Sequence, residues 1–228
     1  MSHPLIDALR SALAAAVNPA DAAAMQRYMK STMPFRGVKT GIQRQIRLPL
    51  FKLYPITSFQ EYEAVIKELW TGEDGMPYRE ERYAAIAVAG YFKKFCTMEA
   101  LPLYRMMIET GAWWDFVDGI SIDLLGGLLL SYPAEMKPEL YRWIEDDHLW
   151  IRRAAIIAQE KFKSATDEKM LFDFCECCLD EKEFWIRKAI GWALRSYSKH
   201  KPKAVRYFVE QYRQRMSGVT LKEAMKYI

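Results

Sequence analysis

Histidine is scarce in this sequence: His3, His148 and His200 are the whole complement, and none stands at a metal-ligating spacing from another. Cysteine is nearly as sparse. Cys96 is isolated and Cys175, Cys177 and Cys178 crowd one segment, which suits neither a disulfide framework nor a two-part zinc site. Cys175-Glu-Cys-Cys178 can be read as a metal or redox cluster, but reduced, packed thiols are expected, with no metal and no cofactor. A glycine-rich phosphate loop and a Ser/His/Asp order are both missing. The longest apolar stretch, around Leu124–Leu130, falls short of the roughly 20 residues that span a bilayer, so no membrane partner is expected. His3, Pro4 and Asp7 stand where a secretory signal needs a basic flank and an apolar run, so a cytoplasmic home is expected. No sign of charge dominates either. With 33 basic and 29 acidic residues the net charge is +4, which permits nucleic-acid binding without demanding it.

What is present is a folding composition: 51% hydrophobic and 14% aromatic residues, with seven tryptophans and thirteen tyrosines, exclude disorder. Long amphipathic runs cover almost all of the 228 residues, which are read as one domain, 1–228. The sole alternating stretch, Arg47 to Ile56, is broken by Pro49 and Pro55, so the class is all-α. Helix starts are expected at Asn18-Pro19 with Asp21, Ser58 with Glu61, Thr97, Ser164 with Asp167, and Thr220 with Glu223.

Self-similarity organises these helices. Leu149-Trp-Ile-Arg-Arg-Ala-Ala-Ile156 resembles Phe184-Trp-Ile-Arg-Lys-Ala-Ile-Gly191, and steps of about 36 residues from Trp150 and Trp185 reach Trp114, Tyr78, Ile42 and Leu221. Roughly equivalent positions thus recur at 42, 78, 114, 150, 185 and 221, with room for a helical pair in each interval. A right-handed α-solenoid of about six helical repeats is expected, with corresponding helices side by side on a concave basic face. Pro49 should kink or end the helix after Ile42.

On the repeat helices Trp114 and Asp118 stand four apart on one face, Trp150 and Arg153 three apart, and Trp185, Lys188, Trp192 and Arg195 form one stripe. Neighbouring repeats bring Asp118, Arg153 and Lys188 or Trp192 together. Tryptophans at helical spacing are ordinarily core, and Asp118 with Arg153 can be a plain ion pair. A core stripe, however, has no use for Lys188 and Arg195 among its rings, whereas a surface that stacks on sugars and holds phosphates needs that mixture. Arg44, Arg47, Arg79, Arg82, Arg152, Lys161 and Arg187 are further cations that would widen a positive face.

Trp113-Trp114-Asp115-Phe116-Val117-Asp118, Trp150-Ile-Arg-Arg153 and Phe184-Trp-Ile-Arg-Lys-Ala-Ile-Gly-Trp192 resemble the signature of the DNA alkylation repair family of AlkD-type glycosylases. The resemblance begins at His3-Pro4, passes through Met25-Gln-Arg-Tyr-Met-Lys30 and Gly37-Val38, and ends near Leu221-Lys-Glu-Ala. It implies HEAT-like repeats around a DNA-binding face, a lesion site at Trp114, Asp118 and Trp192, and Arg153 on the adjacent phosphate. Tyr28, Arg44, Arg152, Lys161, Arg187, Lys188 and Arg195 are the expected further DNA contacts. The implied partner is double-stranded DNA containing alkylated purines, bound by a monomer and hydrolysed at the N-glycosidic bond of 3-methyladenine or 7-methylguanine. A non-catalytic scaffold that binds nucleic acid or protein is the alternative.

Overall fold

A computed structural model describes residues 2–228. Helices account for nearly all of it: α1 Pro4–Ala15, α2 Pro19–Met29, α3 Thr40–Leu53, α4 Phe59–Thr71, α5 Arg79–Tyr91, α6 Leu101–Gly111, α7 Trp114–Gly119, α8 Gly126–Ser131, α9 Pro133–Trp143, α10 Leu149–Ile157, α11 Glu168–Cys177, α12 Phe184–Ser198, α13 Pro202–Tyr212 and α14 Gly218–Ala224. No strand occurs among the described residues, and no helix there is long and apolar enough to cross a membrane. The protein is all-α, as its sequence indicates. The chain's contacts divide it into two compact units, 1–100 and 101–228.

Local chemistry sets five of the helix starts. Asn18 and Ser58 each accept a hydrogen bond from the backbone N–H three residues on, and His3 caps α1 through its ring. Two starts differ from expectation. Asp167 itself caps α11 by accepting from the Met170 N–H, because Ser164 is taken up in a short 3-10 turn. α14 is capped by Ser217, three residues before Thr220, with the Ser217 hydroxyl accepting from the Thr220 N–H. Pro49 does not end α3, which continues to Leu53. Phe51 in its last turn is buried, with its ring 5.0 Å from that of Tyr91, so packing offsets the one backbone bond the proline removes.

In the first unit α1 packs on α3 and α4, while α5 packs on α3 and α4. Leu5, Leu9, Leu13, Val65, Ile66 and Leu69 have no exposed surface, and each contributes roughly 1.5–3 kcal/mol of burial. Glu80 is fully buried there: its carboxylate accepts the backbone N–H groups of Arg36, Gly37 and Val38, pinning the loop that leads into α3. Gly37 has φ +78°, and a Cβ there would lie 2.1 Å from the Asn18 carbonyl oxygen, so only glycine fits.

In the second unit α10 packs against α6, α7, α9 and α12, and α12 packs extensively on α14. All six recurring positions fall at helix beginnings: Tyr78 precedes α5, Trp114 opens α7, Trp150 and Trp185 are second in α10 and α12, and Ile42 and Leu221 lie within the first turns of α3 and α14. The repeat period is therefore the spacing of one helix from its counterpart, and α7, α10 and α12 start 35 residues apart.

Candidate active site on the repeat helices

The route into α7 is unusual. Ala112 has φ 42°, a left-handed conformation that costs an alanine strain, and Trp113 is extended at φ −150° before the helix opens at Trp114. This turn sends two adjacent tryptophans to different fates. The Trp113 ring meets those of Trp150 and Trp185 at 6.2 and 5.8 Å, and Trp150 and Trp185 stand 5.7 Å apart. Three successive repeats thus contribute one ring each to a mutual aromatic cluster. Trp114, by contrast, is half-buried and makes no ring contact or hydrogen bond among the described residues; the same holds for Trp192.

Arg153 lies beside this cluster. Its side chain is 3% exposed; Nε and Nη2 donate to Oδ1 and Oδ2 of Asp118 at 2.8 Å each, and Nη1 donates to the Trp185 carbonyl at 2.7 Å. One guanidinium on α10 therefore ties a carboxylate on α7 to the backbone of α12. The Arg153 guanidinium carbon also sits 5.8 Å from the Trp185 ring centroid. Burial pushes the Asp118 carboxyl up, the Arg153 hydrogen bonds and charge pull it back, and nearby Asp115 pushes it up again; the balance lies above the ordinary aspartate value. Each Asp118 oxygen keeps a lone pair beyond the one given to Arg153. Immediately after Asp118 the helix widens into a π turn, Ile120–Leu125, where the buried Ser121 hydroxyl donates to the Val117 carbonyl.

The other expected DNA contacts are held in several ways. Lys188 and Arg195 both pair with Glu223 on α14, and Lys161 pairs with Asp123. Arg152 donates to the carbonyls of Asp146 and Asp147 and pairs with Glu181 at 3.1 Å, while Arg187 donates to the Glu181 carbonyl at 2.7 Å. These two arginines brace the turns that precede α10 and α12. In the first unit Tyr28 is 76% exposed and Arg44 is exposed without an ion pair among the described residues. Arg47, Arg79 and Arg82 serve the interior of that unit. Arg47 donates to the Tyr83 carbonyl, Arg79 is 1% exposed against Ser31 and Tyr83, and Arg82 donates to the Trp70 carbonyl. Cys175 and Cys178 are buried thiols, Cys177 is exposed, and no group of His, Cys, Asp and Glu among the described residues is placed to hold a metal.

Sequence alone gives Glu223 a place only at a helix start and Trp113 a place only in the family signature, whereas Glu223 pairs with two of the expected DNA-contacting cations and Trp113 centres the aromatic cluster. A signal for both lay in the repeat. Asp118–Arg153 and Lys188–Glu223 are each 35 residues apart, so an opposite charge one repeat away marks an ion pair between neighbouring helices.

One carboxylate, one guanidinium and a cluster of indoles thus meet from three successive repeat helices, the arrangement of a helical-repeat protein. The family model for DNA alkylation repair enzymes matches residues 9–228, and the chain belongs to that family. The structure of a predicted DNA alkylation repair enzyme from Enterococcus faecalis is similar to it, with a TM-score of 0.84 and 26% identity over 93% of this chain and 96% of that one. No curated protein sequence matches significantly.

Proposed function

We propose that this DNA repair protein is a monofunctional glycosylase that releases cationic alkylated purines, 3-methyladenine and 7-methylguanine, from duplex DNA, acting as a cytoplasmic monomer. The observation that carries the reading is Asp118, a half-buried carboxylate fixed by Arg153 on a helix face shared with the half-buried, unpartnered Trp114.

Methylation at N3 of adenine or N7 of guanine leaves the base positively charged, so it departs without prior protonation. The glycosidic electron pair moves onto the base, which leaves neutral, and the sugar becomes an oxocarbenium ion. Asp118 stabilises that cation and orients the water that attacks C1′, accepting the water's proton as the C–O bond forms. Trp114 and Trp192 pack on the deoxyribose, each contributing about 0.5–2 kcal/mol through its ring face. Arg153 keeps the carboxylate aimed, and the two N–H donors it does not spend on Asp118 and the Trp185 carbonyl are the ones a neighbouring phosphate would take. Tyr28, Arg44, Arg152, Lys161, Arg187, Lys188 and Arg195 are proposed to grip the duplex, those in ion pairs exchanging an internal carboxylate for phosphate.

The test is release of 7-methylguanine and 3-methyladenine from methylated duplex by the wild-type protein and Asp118→Asn. Wild type should release both, and Asp118→Asn should lose on the order of 10²–10³ in rate while still binding duplex. Binding without release by wild type would replace the glycosylase with a non-catalytic DNA scaffold.

A further inference from the structure

Two of the cations proposed to grip DNA are already held by a carboxylate of the chain itself. Lys188, Trp192 and Arg195 follow one another at steps of four and three on α12, so the two cations flank Trp192 on one helix face. Glu223 of α14 joins them: Oε1 accepts from Lys188 Nζ and Oε2 from Arg195 Nη1. The next carboxylate near Arg195, Glu160, accepts instead from the Ser196 hydroxyl. Glu223 is therefore the ion-pair partner of Arg195 among the described residues. Both cations remain within reach of solvent, with side chains 39% and 22% exposed.

Groups other than the ion pairs seat α14 for this contact. A Cβ at Gly191 would lie 2.6 Å from the Glu223 Cβ and 3.0 Å from the Thr220 carbonyl oxygen, so only a glycine lets α12 and α14 come this close. The Thr220 hydroxyl donates to the Arg187 carbonyl at 3.1 Å, and Ala224 is fully buried. Glu223 is thus carried to the Trp192 stripe whether or not its own carboxylate is charged. The Lys188 hydrogen bond, helped by the Arg195 charge, outweighs burial and holds that carboxyl below the ordinary glutamate value, so it is an anion at neutral pH. Two anionic oxygens shared between two cations are what a DNA phosphate would offer at the same place.

We propose that Glu223 is an affinity-determining residue: an internal stand-in for phosphate that occupies Lys188 and Arg195 in the free protein and is displaced from them when duplex binds. This rests on the reading that the Trp192 face of α12 meets DNA. With Glu223 in place the three charges sum to +1; with an uncharged side chain there they sum to +2. A phosphate that takes either cation displaces a carboxylate already fixed in position, so the complex keeps only part of its electrostatic gain. The penalty is the same on damaged and undamaged duplex. It loosens the grip everywhere and lets the protein leave DNA that holds no lesion.

The test is binding of the full chain to a short unmodified duplex, followed by fluorescence anisotropy at several salt concentrations, which requires no excision. Glu223→Gln keeps the size of the side chain and should bind roughly 2- to 30-fold tighter at low salt, the equivalent of two exposed ion pairs. Its salt dependence should be steeper by about one released ion. Glu223→Asp, whose shorter arm cannot reach both cations, should gain less, and it carries the test should Glu223→Gln not fold. In a Lys188→Ala/Arg195→Ala background the Glu223→Gln change should lose most of its effect. Equal affinity of wild type and Glu223→Gln would overturn the assignment. So would a gain of the same size without the two cations, which would make Glu223 a single charge repelling DNA from a distance. Either result leaves the glycosylase reading standing where wild type releases 7-methylguanine from methylated duplex. Failure of wild type and every variant to bind duplex would overturn both.

Discussion

Arg153 and Asp118 meet in a two-point pair, with Nε and Nη2 each 2.8 Å from a different carboxylate oxygen across 35 residues of sequence. A guanidinium so buried is costly unless its donors are used, and Arg153 uses a third on the Trp185 carbonyl. Removing it leaves the Asp118 carboxylate without its cation and unlocks three repeat helices from one another. Arg153→Ala should therefore lose about 3–5 kcal/mol of stability in denaturant unfolding. Arg153→Lys restores charge but cannot make the fork. It should recover part of the stability while single-turnover excision stays well below wild type. Wild-type excision in the folded lysine variant would show that charge alone, and not the aim of the carboxylate, is what Arg153 provides.

The protonation of Asp118 sets the acid side of the proposed reaction. Its carboxyl lies above the ordinary aspartate value of about 3.9 because burial outweighs the Arg153 attraction. Only the ionised form stabilises a sugar cation, so the single-turnover rate should rise with pH as that group loses its proton, and the rise should lie above the ordinary aspartate range. In Arg153→Ala, where the stabilising cation is gone, the same limb should move to higher pH. A rate that stays flat down to about pH 4 would place the required carboxylate somewhere other than Asp118.

The tryptophans divide into two groups with opposite expected phenotypes. Trp150 is 6% exposed and touches both Trp113 and Trp185, so Trp150→Ala should cost about 3–5 kcal/mol of stability. Trp114 and Trp192 make no ring contact among the described residues, and their loss should be nearly silent in unfolding. Excision is where they should register: roughly 2- to 30-fold each, the equivalent of about 0.5–2 kcal/mol. The reverse pattern, a stability loss at Trp114 with an unchanged rate, would return that ring to the core.

Much of this was legible in the sequence because a repeat is a long-range signal written locally. Trp114, Trp150 and Trp185 recur with helix beginnings, so one interval predicted both the helices and the meeting of Asp118 with Arg153. What stayed hidden depends on which way a side chain turns. Trp113 and Trp114 are adjacent and chemically identical, and only the left-handed Ala112 and the extended Trp113 decide which of them joins the cluster. Lys188 and Arg195 read as open cations because Glu223 follows Lys188 by 35 residues, on a helix whose start was placed three residues late. Pro49 misled for the same reason: the ring contact that keeps α3 intact, Phe51 on Tyr91, comes from another helix.

Glu160 supplies the last prediction, one about stability and independent of any ligand. In the folded chain its carboxyl titrates at about 7, against 4.5 for an unperturbed glutamate. Between those values the native state holds a proton that the unfolded chain has released, so stability falls as pH rises through this window. The full loss is roughly 3 kcal/mol, at about 1.4 kcal/mol per pH unit. It is absent below about pH 4.5 and complete above about pH 7. An amide in place of this carboxyl keeps a partner for the Ser196 hydroxyl but cannot ionise. Glu160→Gln should therefore unfold at nearly the wild-type denaturant midpoint at about pH 5 and at a distinctly higher one at about pH 8, with the gap opening between those values. A gap that is the same at both pH values would mean that Glu160 ionises in the native state as freely as in the unfolded chain.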